Sequence, residues 1–266
     1  MSISFPEIDP IAFHLTETLG IRWYALAYLV GILGGWAYAG WLANLDRDRP
    51  PSREDIDNIL PLIVLGIILG GRLGYVFFYN FGYYIHHPLH IAFIWEGGMS
   101  FHGGLLGVAA ACIFYARQQK FSPLAMGDIA AAVTPIGLFF GRIANFINAE
   151  LYGRIATVPW AVTFPGGGDL PRHPSQLYEA LLEGVGLFVL LYFATKSARI
   201  RRAPGTLFGL FLIGYALCRF YIEFYREPDV QIGLILDYFT MGQFLTLPMM
   251  LAGFLLIRHA HRKHLA

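Results

Sequence analysis

Seven apolar stretches constrain the fold of this chain more than any other feature of its sequence. We place them near 20–42, 57–79, 99–116, 127–147, 176–195, 204–225 and 238–258, the third being the shortest. An α-helix needs about 20 mostly apolar residues to cross a bilayer. The composition agrees, since 56% of the residues are apolar and 14% are charged. The sequence therefore predicts an all-α polytopic membrane protein with seven transmembrane helices, forming one integral-membrane domain over residues 1–266.

Lysine and arginine in the connecting loops predict the orientation of these helices, because cytoplasmic loops carry an excess of both residues. One set of connectors contains twelve of them: Arg47, Arg49, Arg53, Arg117, Lys120, Lys196, Arg199, Arg201, Arg202, Arg258, Arg262 and Lys263. The opposite set contains three: Arg154, Arg172 and Arg226. We therefore expect a periplasmic N-terminus and a cytoplasmic C-terminus. The two longest connectors, 80–98 and 148–175, then lie on the periplasmic side.

Three arginines lie well inside the apolar stretches. An unpaired charge at the bilayer centre costs at least about 2.5–3.5 kcal/mol, so an intramembrane arginine is a candidate functional residue. Arg72, Arg142 and Arg219 each lie about 22 Å from the inner end of their helix, in a hydrocarbon core about 30 Å thick. Tyr24 and His102 lie within about one turn of the outer starts of their helices. We expect all five at one depth, in the outer half of the membrane.

The residues around Arg219 have helical spacing. Arg219, Glu223 and Arg226 stand at i, i+4 and i+7, which brings them to one face of an α-helix. Glu223 is then in position to hold one guanidinium while the other faces a ligand. This spacing predicts a charged face on the sixth helix.

A second polar run begins at Arg142. Asn145 follows at i+3, Asn148 lies a further turn on, and Glu150 comes just after it. Arginine suits phosphate because its planar guanidinium donates two parallel hydrogen bonds and stays protonated. The sequence therefore predicts recognition of an anionic head group from the outer side. The simpler interpretation of any single arginine is that its side chain extends to the lipid head groups.

Other polar side chains admit two interpretations from the sequence. Arg72 has no polar neighbours, so extension to the head groups and a functional role are equally compatible with its position. His102 either acts as a base near neutral pH or bonds to backbone groups at the membrane interface. His173 either caps the fifth helix or orients Tyr178 and Glu179.

Small residues indicate how the helices pack. Glycines recur at four-residue intervals, which lets membrane helices approach closely. They are Gly66, Gly70 and Gly74, Gly103 and Gly107, Gly137 and Gly141, and Gly205 and Gly209. The two cysteines, Cys112 and Cys218, both fall within predicted helices, so we expect neither a disulfide framework nor a metal site. We predict no cofactor, and no nucleic-acid partner because the basic residues form the topology signal.

Four segments resemble the bacterial prolipoprotein diacylglyceryl transferases. They are GGMSFHGGLLG (97–107), GRIANFINAELYGR (141–154), HPSQLYEA (173–180) and GYALCRFYIEFYREPD (214–229). The segments IRWYALAY (21–28) and TMGQ (240–243) also fit, and the resemblance runs in order from about 20 to 256. Ala144 and Ala149 depart from the pattern, because members of the family commonly have glycine at both positions. Each change is small-for-small, so we expect little effect.

The resemblance implies an enzyme of the bacterial inner membrane whose active site faces the periplasmic half. Such an enzyme transfers the diacylglyceryl group of phosphatidylglycerol to the lipobox cysteine of a prolipoprotein signal peptide, forming a thioether and releasing glycerol 1-phosphate. No metal or cofactor is implied. The implied catalytic residues are His102, Arg142 and Arg219. The implied substrate-binding residues are Tyr24, Arg142, Asn145, Glu150, Gly153, Tyr215, Arg219 and Glu223, and the helical spacing adds Arg226 to this set.

The group that takes the thiol proton stays open: His102 is the first candidate, Tyr24 the next, and the field of the arginines alone is a third. Two other functional classes are weighed against the transferase. A transporter or channel for an anionic substrate would also keep intramembrane arginines, but it needs polar access from both sides, and the inner half here is apolar. An intramembrane hydrolase needs a nucleophile near His102, and Ser100 lacks a GxSG frame.

Overall fold

The computed structural model describes residues 3–16, 20–228, 234–235 and 239–265, and these residues are predominantly helical. The α-helices are α1 (Trp23–Ala43), α2 (Arg53–Phe78), α3 (Phe81–His86), α4 (Phe101–Gln118), α5 (Pro123–Ile147), α6 (Ser175–Glu179), α7 (Leu187–Lys196), α8 (Ala198–Arg201), α9 (Thr206–Ile222) and α10 (Met241–Leu265). Two 3₁₀ turns, Pro88–Ala92 and Ile94–Glu96, follow α3, and a π-helical turn, Ala180–Gly186, joins α6 to α7.

Each predicted apolar stretch contains a long helical segment. Among the described residues, five segments are long and apolar enough to cross a membrane: Trp23–Ala43, Arg53–Phe78, Pro123–Ile147, Ser175–Lys196 and Met241–Arg262. The other two stretches contain α4, with 18 residues, and α9, with 17. The described residues therefore have the architecture of a polytopic membrane protein.

The start of α2 differs from the prediction, which placed it near residue 57. The helix begins at Arg53 because Ser52 and Asp55 form a reciprocal cap. The Ser52 hydroxyl accepts the Asp55 N–H at 3.2 Å, and the Asp55 carboxylate accepts the Ser52 N–H at 2.7 Å. A capping box satisfies N–H groups that the first turn leaves free. Hydropathy does not detect such a polar first turn.

The chain divides into two compact units. Unit 1 comprises Met1–Tyr38 and Asp128–Ala266, and unit 2 comprises Ala39–Gly127. In unit 2, α2 and α4 touch along their glycines: a Cβ on Gly70 would lie 2.3 Å from the Gly103 carbonyl oxygen, and one on Gly107 would lie 1.9 Å from that of Gly66. The predicted close packing is confirmed for this helix pair.

The sequence left Arg72 with two interpretations, and its contacts answer that question. Its side chain is buried, and it donates hydrogen bonds to the carbonyl oxygens of His90 at 2.6 Å, Ile91 at 2.9 Å and Phe93 at 3.1 Å. The guanidinium also lies 5.1 Å from the centre of the Tyr84 ring. Arg72 therefore fixes the backbone of the 88–98 segment within unit 2.

Unit 1 contains short strands that hydropathy did not predict. They are β1 (Ile3–Ser4), β2 (Ile11–His14), β3 (Gly20–Arg22), β4 (Val162–Thr163), β5 (Leu234–Ile235) and β6 (Phe239–Thr240). β1 pairs in parallel with β4, whereas β2 with β3 and β5 with β6 are antiparallel. Phe5, just after β1, packs against Phe146 at the end of α5 and Phe164 in the connector that follows. The N-terminal segment thus lies against the connector after α5.

Candidate functional site: an arginine–carboxylate cluster

Three guanidinium groups of unit 1 meet at one buried carboxylate, Glu179. Its Oε2 atom lies 2.7 Å from Nη2 of Arg142 and 3.4 Å from Nη1 of Arg219. Arg226 donates to the other oxygen, Oε1. The Glu179 side chain is fully buried, whereas the three arginine side chains keep 13–19% of their surface exposed. The arginines are therefore the accessible part of the cluster, and Glu179 is its buried part.

Glu223 is a second carboxylate of this cluster. Its Oε2 atom lies 2.9 Å from Nη2 of Arg219 and 3.7 Å from Nε of Arg226. A Cβ on Gly242 would lie 2.6 Å from the Glu223 carboxyl carbon, which explains a glycine in the TMGQ segment. The predicted contact between Glu223 and Arg219 is present.

The sequence prediction for Arg226 needs a correction. The helical spacing placed it on the same helix face as Arg219 and Glu223, with one of the two arginines held by Glu223 and the other facing a ligand. Instead, α9 ends at Ile222, and Arg226 lies beyond it in a β-bridge with Gly153. Its guanidinium is bound to Glu179 rather than unpartnered. Both arginines therefore have a carboxylate partner.

The run that begins at Arg142 forms a chain of side-chain contacts. Nη1 of Arg142 donates to Oδ1 of Asn145 at 3.4 Å, and Nδ2 of Asn145 donates to Oε1 of Glu150 at 2.7 Å. Gln176, on α6, donates to the backbone carbonyl of Glu150 at 2.6 Å. Asn145 thereby links the guanidinium to the turn that ends α5. The expected grouping of Arg142, Asn145 and Glu150 is present.

Ala149 is one of the two departures from the family pattern, and the backbone conformation at this position favours glycine. Its φ angle is +52°, in the left-handed region that favours glycine. Ala144, the other departure, is almost fully buried on α5. The two changes therefore differ: Ala149 strains the backbone of a turn, whereas Ala144 is a buried helix residue.

Gly153 holds together the connector that borders the cluster. Its N–H donates to the His173 carbonyl at 2.9 Å, and the N–H of Arg154 donates to the Tyr225 carbonyl at 2.9 Å. A Cβ on Gly153 would lie 2.3 Å from the same Tyr225 oxygen. Any side chain at this position would push the connector away from the end of α9. Gly153 therefore supports the arrangement of the site by its lack of a side chain.

His173 contacts one of the two residues expected for it. Its Nδ1 atom lies 3.1 Å from the Tyr178 hydroxyl, which also accepts a hydrogen bond from Nε1 of Trp160 at 2.7 Å. Burial lowers the pKa of His173. This geometry agrees with a role in orienting Tyr178 rather than in capping the helix.

Glu183, one helical turn after Glu179, is the residue that the sequence analysis missed most completely. It lies in the π-helical turn and is fully buried, yet neither carboxylate oxygen accepts a hydrogen bond from any described residue. The nearest guanidinium atom is Nη2 of Arg142, at 3.8 Å. π-Helical turns occur frequently at functional sites. The argument used for the arginines could also have identified the glutamates in this predicted span, because any charge buried within the membrane is costly.

The remaining predicted site residues lie as follows. Tyr215 lies one turn before Arg219 on α9 and stacks on Phe211, with 5.9 Å between ring centroids. Tyr24, at the start of α1, packs against Tyr28 with 5.2 Å between ring centroids. His102 belongs to unit 2, at the start of α4, where its ring contacts Phe101.

Ser100, next to His102, has a structural partner. Its hydroxyl accepts the N–H of Gly103 at 3.2 Å and thereby caps α4. Serine is a preferred residue at this cap position. The hydroxyl is therefore engaged in holding the helix start.

Comparisons with known proteins agree with the resemblance. Residues 10–259 match the family model described as prolipoprotein diacylglyceryl transferase. The phosphatidylglycerol–prolipoprotein diacylglyceryl transferase of Rhodospirillum rubrum is 54% identical over 264 residues, which cover 98% of this chain and 95% of that protein. The enzyme of the same name from Azospirillum brasilense is 53% identical, covering 99% and 98%. That from Rhizobium meliloti is 50% identical, covering 97% and 94%.

Proposed function

The chain belongs to the prolipoprotein diacylglyceryl transferase family, and we propose from this premise how its residues carry out the reaction. The protein is a transferase that moves the diacylglyceryl group of phosphatidylglycerol onto prolipoproteins, the first step of lipoprotein maturation. The acceptor is the thiol of the lipobox cysteine. Its sulfur attacks the glyceryl carbon, a thioether forms, the carbon–oxygen bond to phosphate breaks, and glycerol 1-phosphate leaves.

The convergence of three guanidiniums at Glu179 is the observation that carries this assignment. Arg142 and Arg219 bind the lipid phosphate through the donors that Glu179 and Glu223 leave free. When the carbon–oxygen bond breaks, negative charge grows on the phosphate oxygen that departs. Donors already oriented towards that oxygen stabilise the transition state without reorganising. Asn145 and Glu150 hold Arg142 in this orientation, and Glu223 holds Arg219.

The thiol proton needs a destination, since a free thiol with a pKa of about 8.5 is mostly protonated at neutral pH. His102 accepts this proton, and Tyr24 is the next candidate. A neutral imidazole is a suitable base near pH 7. Tyr24 and Tyr215 contribute to the walls that hold the lipid, and Arg226 completes the positive field.

The proposed topology follows from the loop charges. The protein is a single integral-membrane domain of the bacterial inner membrane, with seven spans, a periplasmic N-terminus and a cytoplasmic C-terminus. The arginine cluster then lies in the periplasmic half, where signal peptides present their lipobox after translocation. α4 and α9 complete the seven spans with about 26–27 Å of helix each, close to the thickness of the hydrocarbon core.

The test is a transfer assay with purified protein. Detergent-solubilised protein is incubated with phosphatidylglycerol carrying a labelled acyl chain and with a lipobox peptide. We expect label on the peptide in a thioether and release of glycerol 1-phosphate. The matched variants are Arg142→Ala, Arg219→Ala and, as the control, Arg199→Ala in the exposed helix α8. Transfer that survives both site variants, or a peptide without its cysteine that becomes labelled, would contradict the proposal.

A further inference from the structure

The three carboxylates of the arginine cluster differ in their distance from the nearest guanidinium. Glu179 and Glu223 lie against guanidiniums at 2.5–2.9 Å at their closest atoms, whereas the closest guanidinium atom to Glu183 is 3.8 Å away. A positive charge close to a carboxylate favours its ionised form. The guanidiniums lie farther from Glu183 than from the other two carboxylates, so its charge is the least stabilised of the three.

The protonation state of Glu183 depends on the charged and titratable side chains around it. Among the described residues, the titratable or charged side chains that interact with it are Glu179, Arg142, Arg219, Arg226, Tyr215 and Cys218. On its other side the π-helical turn packs against α5, where a Cβ on Gly184 would lie 2.7 Å from Cβ of Phe139. The Cys218 thiol donates to the carbonyl of Leu182 at 3.6 Å. Apart from the arginines, the described side chains around Glu183 are therefore uncharged or negatively charged.

The balance of charge changes when an anionic head group binds. Without a ligand, three guanidiniums face three carboxylates, so an ionised Glu183 completes a neutral cluster. A bound phosphodiester adds one negative charge close to the same arginines. The arginines are then matched by Glu179, Glu223 and the phosphate, and an ionised Glu183 would be a buried charge without a counter-ion. Such a group becomes neutral by binding a proton.

We propose that Glu183 is a proton-uptake site coupled to head-group binding: it is ionised in the empty cluster and takes up one proton when the phosphate of the lipid binds. The inference rests on the proposed function, because it requires the phosphate to bind at the three arginines. It adds a regulatory property to that site, since lipid affinity becomes pH-dependent. Release of the product returns the proton and restores the neutral empty cluster.

Binding calorimetry without any peptide tests this coupling, because it excludes the acceptor thiol from the proton count. Purified protein is titrated with water-soluble dioctanoyl-phosphatidylglycerol in Tris and in HEPES, whose heats of protonation differ. The difference in binding heat counts the protons exchanged. We expect wild type to take up roughly one proton, and its affinity to weaken by up to about tenfold per pH unit as the pH rises above the pKa of Glu183 in the empty cluster.

The variants assign the proton to a residue. Glu183→Gln keeps the shape of the side chain and should bind the lipid with no proton uptake and no pH slope. Glu183→Met is a second route to the same result, since apolar residues often replace buried charges without loss of stability. The matched control is Asp128→Asn, which alters another buried carboxylate of unit 1. Asp128 accepts the N–H groups of Gly205 and Phe208 at the start of α9, so this variant should take up protons like wild type.

The possible outcomes distinguish failure of the proton-uptake proposal from failure of the proposed function. Wild type that binds the lipid without exchanging a proton overturns the inference, and this result needs no variant. Equal proton uptake by wild type and either Glu183 variant also overturns it, because the proton then goes elsewhere. Failure of wild type to bind or transfer the lipid is a different result, since it would contradict the proposed function itself.

Discussion

Arg142 and Arg219 share their guanidinium donors between carboxylates and the space that a phosphate would occupy. We predict that Arg142→Lys and Arg219→Lys each lower the transfer rate by about 10²–10³-fold, as loss of a preorganised donor typically does. Lysine keeps the charge but cannot donate to a carboxylate and a phosphate in one plane. The measurement is kcat/KM per folded protein, with Arg199→Lys as the control. Near-normal turnover in both site variants would refute the bidentate role.

Glu223 should act through Arg219, because its Oε2 atom is 2.9 Å from Nη2 of that arginine. Glu223→Gln is expected to lower the rate less than Arg219→Ala, and the double variant should be no worse than Arg219→Ala alone. Residues that act as a unit lose activity non-additively. Glu227→Gln is the comparison, since Glu227 pairs with Arg172 at 2.9 Å. Strictly additive losses for Glu223 and Arg219 would show that Glu223 acts elsewhere.

A pH profile of the transfer rate tests the proposed role of His102 as the proton acceptor. If it accepts the thiol proton, His102→Gln should lose about 10²–10⁴-fold in rate, the usual contribution of a positioned base. The rate should recover in part as the pH approaches about 8.5, where the thiol ionises by itself. Lipid affinity should be unchanged.

The control for His102 is His259→Gln, on an exposed part of α10, which should keep wild-type rates. Loss of phosphatidylglycerol binding in His102→Gln, with no recovery at high pH, would make His102 a ligand or a structural residue. Tyr24 would then be the next candidate for the base.

At the residue scale, the sequence predicted the arginines of the cluster better than its buried glutamates. Arg142 and Arg219 stand out because a charge in an apolar stretch is costly, and Asn145 and Glu223 follow from helical spacing. In the fifth predicted helix, Glu179 was considered only as a neighbour of His173, and Glu183 was not singled out. Their contact with the arginines joins α5, the α6–α7 segment and α9, and such a contact between separate helices has no local signature in the sequence.

Among the structural elements, the turn that ends α5 offers a stability test. Ala149 has a φ of +52°, and an L-residue in the left-handed region costs roughly 1–2 kcal/mol more than glycine, part of which the flexibility of glycine in the unfolded chain offsets. We predict that Ala149→Gly raises the melting temperature in detergent by about 1–4 °C.

The comparison for Ala149 is Ala110→Gly at an exposed position in the middle of α4, which should lower the melting temperature because glycine weakens a helix interior. A lower melting temperature for Ala149→Gly would show that the turn tolerates alanine without strain. The readout is thermal unfolding of purified protein, and it is independent of catalysis.

The elements also divide into those that sequence could predict and those that it could not. Every predicted apolar stretch contains a helix, because hydropathy over about 20 residues is a strong signal. The π-helical turn at Ala180–Gly186 and the strand pair β1–β4 were not predicted, since neither has a periodic pattern. The π turn packs closely against Phe139 of α5, and such a contact depends on the tertiary fold.

At the scale of the whole molecule, topology and chemistry depend on each other. The connector 148–174 borders the arginine cluster through the bridge between Gly153 and Arg226 and through the Asn145–Glu150 contact. Whichever side of the membrane holds this connector therefore also holds the cluster. A prolipoprotein offers its lipobox at the periplasmic surface, so the proposed reaction requires this connector to be periplasmic.

Reporter fusions test that requirement directly. We predict cytoplasmic readings after residues 50, 120, 200 and 266, and periplasmic readings near 88, 165 and 231, the last of which lies outside the described residues. The physical reason is the loop charge, twelve lysines and arginines against three. Paired alkaline phosphatase and green fluorescent protein fusions control for expression, because each is active on one side only. A cytoplasmic reading near 165 would move the arginine cluster to the inner half, and a thiol arriving from the periplasm would then have no route to it.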